Sequence, residues 1–163
     1  MKTILALQPN AKQIGYSLFE GSTLVDWGAK DCRSEKTRPR LSHARLAFLG
    51  RLIDRYDPSV IVLPTGTKLR RTARNRFLRI IRRELSQYPN AIVTFSRHDI
   101  RKAFAPSLKV RKPSKQAIMQ LLVKWFPELE AVLPKPRRVQ DDQDYRTPMF
   151  DAIALAVTYL SKL

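Results

Sequence analysis

Side chains able to hold a divalent cation are few in this chain, and those able to hold phosphate are many. Hard cations such as Mg²⁺ take oxygen ligands, and a two-metal phosphoryl-transfer site needs several anionic ones around ions about 4 Å apart. The acids that could serve are Asp151, at the start of the apolar run PMFDAIALAVTYL, the loop acids Asp141, Asp142 and Asp144 just before it, and the scattered Glu20, Asp26 and Asp99. The loop acids follow no ligand spacing and read as a solvated turn, or as partners of Arg137, Arg138 and Arg146. Asp151 follows Pro148 by three residues, so the pattern also puts it in a first helical turn, where a carboxylate suits the macrodipole and the free amides. His43 and His98 are too few for a metal cluster, and Cys32 is the lone thiol, so neither a disulfide nor a thiolate site can form within the chain.

Bases dominate. Lys plus Arg total 31 against 14 Asp plus Glu, a formal charge of +17, which makes a polyanion the natural partner. The densest stretch runs Lys68, Arg70, Arg71, Arg74, Arg76, Arg79, Arg82, Arg83 with no acid before Glu84. A merely solvated helix face usually mixes signs, so this one-sided run reads as a phosphate-binding edge. Arginine suits that task because its planar fork donates paired hydrogen bonds and stays charged. Two further clusters, Lys109, Arg111, Lys112 and Lys115, then Lys135, Arg137 and Arg138, lie in Pro-rich loops. If all three follow one backbone, roughly six to ten phosphate contacts give a salt slope of about −5 to −9. No zinc finger, helix-turn-helix or repeat code is present, so recognition by shape is expected rather than base reading.

The elements that must position these groups follow from periodicity. Strands are expected at Thr3 to Leu7, Ile14 to Glu20 and Leu24 to Lys30, a meander with polar or Gly-containing turns. A helix over Leu41 to Tyr56 leads to the buried strand Val60 to Leu63, ended by Pro64. A second helix, Thr72 to Gln87, turns Phe77, Ile80, Ile81 and Leu85 inward, and a strand starts at Ala91. Helices follow near Arg97 to Phe104, over Ser114 to Phe126 with Ser114 as N-cap, and over Pro148 to Leu160, with APSLKVRKP and LPKPRRVQDDQDYRTP as loops. This order is that of an α/β ribonuclease H-like fold, a mixed five-stranded sheet of three antiparallel strands and then parallel ones, flanked by helices. At 163 residues one domain, 1–163, is expected. No run of about 18 apolar residues is present and the N-terminus lacks a signal-peptide pattern, so a soluble cytoplasmic protein without membrane contact is expected.

Four segments together resemble the RuvC-type Holliday junction resolvases. ILALQPNAKQIGYSLFE resembles the turn and GY strand that open that family, PSVIVLP the strand that ends in a metal-binding glutamate, Lys115 to Ile118 the helix start that carries a basic residue near its active site, and PMFDAIALAVTYL its final, aspartate-bearing helix. Carried over position by position, the family's acids fall on Gln8, Pro64, Pro148 and Asp151, so only Asp151 remains a carboxylate. The resemblance thus implies a divergent member without a metal site or cofactor, its nuclease activity lost or strongly impaired. It also implies DNA as partner, branched or duplex, and a two-fold homodimer. The family wedges aromatic residues into the junction from the segment after its glutamate, whereas here that segment is Thr65 to Leu69, with Leu69 its one apolar side chain. Trp27, Trp125, Phe126 and Tyr145 are the other rings that could stack on bases, although Trp125 and Phe126 close an amphipathic helix and suit a core or subunit contact. Two alternatives stay open: a Mg²⁺-dependent junction endonuclease using Asp151, Gln8 and a recruited loop acid, and an RNA-binding protein of the same fold.

Overall fold

The computed structural model describes residues 1–10, 13–31, 38–66, 73–134 and 146–163; for 38–42 and 73–75 it describes the backbone alone. Strands β1 (Thr3–Pro9), β2 (Gln13–Glu20) and β3 (Thr23–Asp31) form the meander, followed by α1 (Arg38–Tyr56), β4 (Val60–Pro64), α2 (Ala73–Leu85) and β5 (Ala91–Phe95). Helices α3 (Arg97–Leu108) and α4 (Lys115–Trp125), a short 3₁₀ turn (Pro127–Val132) and α5 (Thr147–Leu160) complete the order. The sheet runs β3-β2-β1-β4-β5, with β1 antiparallel to β2 and parallel to β4, and β4 parallel to β5. This is the mixed five-stranded, helix-flanked sheet that the pattern of apolar runs dictates.

Alternation along the strands separates two cores. Leu5, Leu7, Ile14, Leu18, Ile61 and Leu63 point to one face, where α1 and α2 cover them through Leu49, Leu52, Ile53, Phe77, Ile81 and Leu85. Ile4, Ala6, Phe19, Val60 and Val62 point to the other face, covered by α3, α4 and α5 through Phe104, Leu122, Phe150, Ile153 and Leu155. β1 and β4 are buried on both faces, which is why each reads as a nearly continuous apolar run. Helix α5 lies across β2 and β1 and is buried along most of its length; the buried Ser17 hydroxyl donates to the Ala152 carbonyl at 3.0 Å, tying helix to sheet.

Two expectations need correction. Ile80 is 38% exposed, and Leu78, at 2%, fills the inward stripe with Phe77, Ile81 and Leu85. At about 100° per residue, Ile80 stands roughly 110° from the centre of that stripe and Leu78 only about 50° from it. The α3 helix also outruns the sequence pattern, continuing through Pro106 to Leu108 where a loop is expected. Proline there removes the bond to the Lys102 carbonyl, a cost of about 3 kcal/mol in a helix interior. Burial of Phe104 and packing of Leu108 against the core oppose that cost. The helix stops at Lys109, whose φ of 54° closes a left-handed C-cap and whose N–H reaches the Ala105 carbonyl. Its start is a capping box of Ser96 and Asp99, and the hydrogen bonds from Ser96 hold the Asp99 carboxyl below the usual range. Ser114 caps α4 as expected, its oxygen accepting from the Ala117 N–H at 3.1 Å.

On the α1 side, the Asp26 carboxylate accepts from the hydroxyls of Tyr56 and of Tyr16, the latter at 3.3 Å. Burial and then the Asp26 charge push the Tyr16 hydroxyl up to about 12, and the bond to Asp26 chiefly raises Tyr56. A group that holds its proton more tightly when folded stabilises the fold below its unfolded pKa of about 10 and ceases to as pH rises through the folded value. The melting temperature should therefore fall between about pH 10 and 12, and fall less in a Tyr16→Phe/Tyr56→Phe variant; equal slopes in thermal melts at those pH values would contradict this clip.

Candidate functional site

Both Gln8 and Pro64 occupy the C-terminal ends of the parallel neighbours β1 and β4. Their register pairs Ala6 with Val62, and Gln8 and Pro64 each lie two residues beyond that pair on their own strands. Alternation puts both on the α5 face, with Ala6 and Val62. Gln8 pairs on its other side with Gly15 of β2. Gly15 is where the backbone of α5 touches the sheet: a Cβ built on it would stand 2.2 Å from the Pro148 carbonyl carbon and oxygen. One end of the fold thus gathers Gln8, Pro64 and Pro148, all buried, with α5 starting over them. Gln8 is 8% exposed and its amide nitrogen reaches the Pro9 carbonyl at 3.5 Å.

Asp151 is the fifth residue of α5, because the helix begins at Thr147. The free amides belong to the first four positions, so the reading of Asp151 as a first-turn, dipole-satisfying carboxylate does not hold. Its Oδ2 instead meets the Lys115 ammonium at 3.0 Å, with the side chains 22% and 43% exposed respectively. Lys115 is the first residue of α4, a position where a cation opposes the helix dipole by about 0.3–1 kcal/mol. The partner across the gap offsets that cost. Lys109, Arg111 and Lys112, all exposed, lead along the chain into Lys115. Lys68, Arg70, Arg71, Arg137 and Arg138 lie outside the described residues, as do Leu69, Tyr145, Asp141, Asp142, Asp144 and the side chain of Arg74.

As a metal site, the described groups fit poorly. Proline side chains offer no donor, the Gln8 amide offers an oxygen without charge, and among the described residues no three of His, Cys, Asp or Glu gather into a set able to hold a metal ion. At an effective dielectric of about 20, a divalent ion some 4 Å from the Asp151 carboxylate gains roughly 8 kcal/mol and loses about as much to an ammonium at the same distance. Little net attraction is left.

A residue that the apolar pattern hides stands behind this end of the sheet. Arg45 on α1 is 2% exposed; its Nη2 donates to the carbonyls of Asn10 and Gln13, the latter at 3.3 Å, and its guanidinium lies 4.1 Å from the Phe77 ring centre. It ties Asn10 and Gln13, just past Gln8, to α1 and to Phe77 of α2, the helix that carries the second half of the densest basic stretch. Its spacing to Leu49, Leu52 and Ile53 was the available signal, since it puts a base on an apolar stripe. Of the rings considered for stacking, Trp125 is 44% exposed and stacks on Phe104 with centroids 5.8 Å apart, while Phe126 meets Phe19 edge-on.

No family model matches this chain, and no curated protein sequence does. Solved structures match over nearly its whole length. The Thermus thermophilus RuvC in complex with a Holliday junction substrate superposes with a TM-score of 0.71 at 12% identity, covering 99% of this chain and 94% of the other. The yeast mitochondrial Holliday junction resolvase Ydc2 gives 0.66 at 15% identity over 98% of this chain and 78% of its own. The fowlpox virus Holliday junction resolvase gives 0.60 at 13% identity over 99% of both chains. The molecule therefore has a ribonuclease H-like α/β fold. Within that class it has the fold of the RuvC-type Holliday junction resolvases, as its segments suggest; at these identities the likeness establishes the fold. No helix among the described residues is long and apolar enough to cross a membrane.

Proposed function

We propose that this chain binds DNA, branched or duplex, through its basic loops, and that it hydrolyses little or none of it. The observation that carries the reading is the contrast between the two halves of the molecule's chemistry: a resolvase-like frame with a charge of +17 whose metal end offers an amide, two prolines and one ion-paired carboxylate. Phosphate contacts survive the loss of metal ligands, because counterion release needs only the cations. Fold alone does not assign function, so the substrate class rests on the charge and on structural relatives, among them the RuvC and fowlpox resolvase structures that contain Holliday junction DNA. On this reading the working form is a homodimer matching the two-fold symmetry of a four-way junction.

Competition at fixed salt tests the partner. Labelled four-way junction bound to the protein should be displaced by unlabelled junction or duplex DNA at least about tenfold more effectively than by duplex RNA, whose A-form grooves differ in shape. Equal or better displacement by RNA would move the reading to an RNA-binding protein of the same fold.

A further inference from the structure

The poor fit of the donor set to a divalent ion leaves open what the surviving carboxylate does. Asp151 is fixed on a buried helix, its Oδ2 is 3.0 Å from the Lys115 ammonium, and Lys115 stands at the start of α4, at the end of the exposed basic run Lys109, Arg111, Lys112. A lysine ammonium carries three donors and no acceptor. With one donor spent on Asp151 and 43% of the side chain exposed, two remain for an anion arriving from solvent.

We infer that the Lys115 ammonium takes the place a divalent cation would occupy beside Asp151, and that this built-in cation is a metal-independent contact for a backbone phosphate. Asp151 acts as a positioning residue: it holds a flexible four-carbon side chain in one place, so less rotamer entropy is lost when phosphate arrives. The lysine lends a fixed charge where a resolvase would borrow one from solution. No covalent step is involved. The phosphate part rests on the reading that the chain binds a nucleic-acid backbone; the cation part does not.

The test uses the full chain and Mn²⁺ as probe. In ¹H–¹⁵N spectra without DNA, submillimolar Mn²⁺ should leave the amides of residues 149–153 sharp in the wild type. It should broaden them in Lys115→Met, where the ammonium is gone, and not in Lys115→Met/Asp151→Asn. Junction affinity should be equal in EDTA and in Mg²⁺ at matched ionic strength, and should fall about tenfold in Lys115→Met while Lys124→Met, an exposed lysine on the same helix, changes it less than about threefold. Broadening around Asp151 in the wild type at micromolar Mn²⁺, or no difference between the wild type and Lys115→Met, would overturn the cation part. Equal effects of the two lysine substitutions on affinity would overturn the phosphate part. Failure to bind any nucleic acid would overturn both the proposed function and the phosphate part, with the Mn²⁺ spectra still deciding the cation part.

Discussion

Gly15→Ala should destabilise the protein by about 3 kcal/mol or more and lower its melting temperature by roughly 6–12 °C. The added Cβ would lie 2.2 Å from the carbonyl carbon and oxygen of Pro148 and 2.5 Å from the Met149 nitrogen. These are backbone atoms at a helix start, so no side chain can swing aside; α5 itself must lift from β2. That movement strains the bond from Ser17 to Ala152 and shifts Asp151 relative to Lys115, so fold and site are disturbed together. Two other glycines calibrate the effect. Gly50 on α1 has its nearest neighbour, the Tyr88 hydroxyl, 4.0 Å away, so Gly50→Ala should stabilise by about 0.5–1 kcal/mol through helix propensity. Gly21 has a φ of +60°, so alanine there should cost about 1 kcal/mol from backbone conformation alone. Thermal and denaturant melts of the three variants check this order. A Gly15→Ala protein as stable as the wild type would mean that helix and sheet do not meet as described.

The second large effect concerns affinity. Replacing Lys68, Arg70, Arg71 and Arg74 together by Gln should weaken junction binding on the order of 10³-fold near 0.1 M salt and reduce the salt slope by roughly 3–4 units. Each cation that neutralises a phosphate contributes about 0.9 to that slope, which is how the number of contacts is read without a structure of the complex. In the chain, Lys68, Arg70 and Arg71 precede α2 and Arg74 is its second residue; none is among Phe77, Ile81 and Leu85, through which α2 packs on the sheet, so the melting temperature should change little. Salt titrations of the wild type and the quadruple variant provide the measurement. A slope unchanged within about one unit would show that this run is solvated surface rather than interface.

How much of this was legible in the sequence depends on the range of the interaction involved. β1, β2 and β4 are set by local alternation and by β-branched runs, and Ser114 by the chemistry of a cap, so short windows identify them. The mixed character of the sheet, antiparallel strands and then parallel ones, follows because each crossover helix announces itself by its own periodicity, whereas the order β3-β2-β1-β4-β5 comes from the structure. Pro106 inside α3 could not be read, because the packing of Phe104 and Leu108 that overrides it is tertiary. Ile80 and Leu78 were confused for a simpler reason: three apolar residues lie within four positions, and only the sheet decides which of them faces in. The positions of Gln8, Pro64 and Asp151 came through resemblance rather than spacing. Resemblance also put Lys115 near this end of the fold; what it did not give was the direct ion pair with Asp151, which joins the first residue of α4 to the fifth of α5. Arg45 was hidden for the opposite reason, an arginine on an apolar stripe being easily read as its solvated edge.

Incubation of the purified full chain with a synthetic four-way junction, in Mg²⁺ and separately in Mn²⁺, with binding and strand scission followed in the same samples, reaches the central claim most directly. The expected result is a retarded junction complex with all four strands intact in either metal. Metal-dependent incision near the branch point, lost on Asp151→Asn, would contradict it.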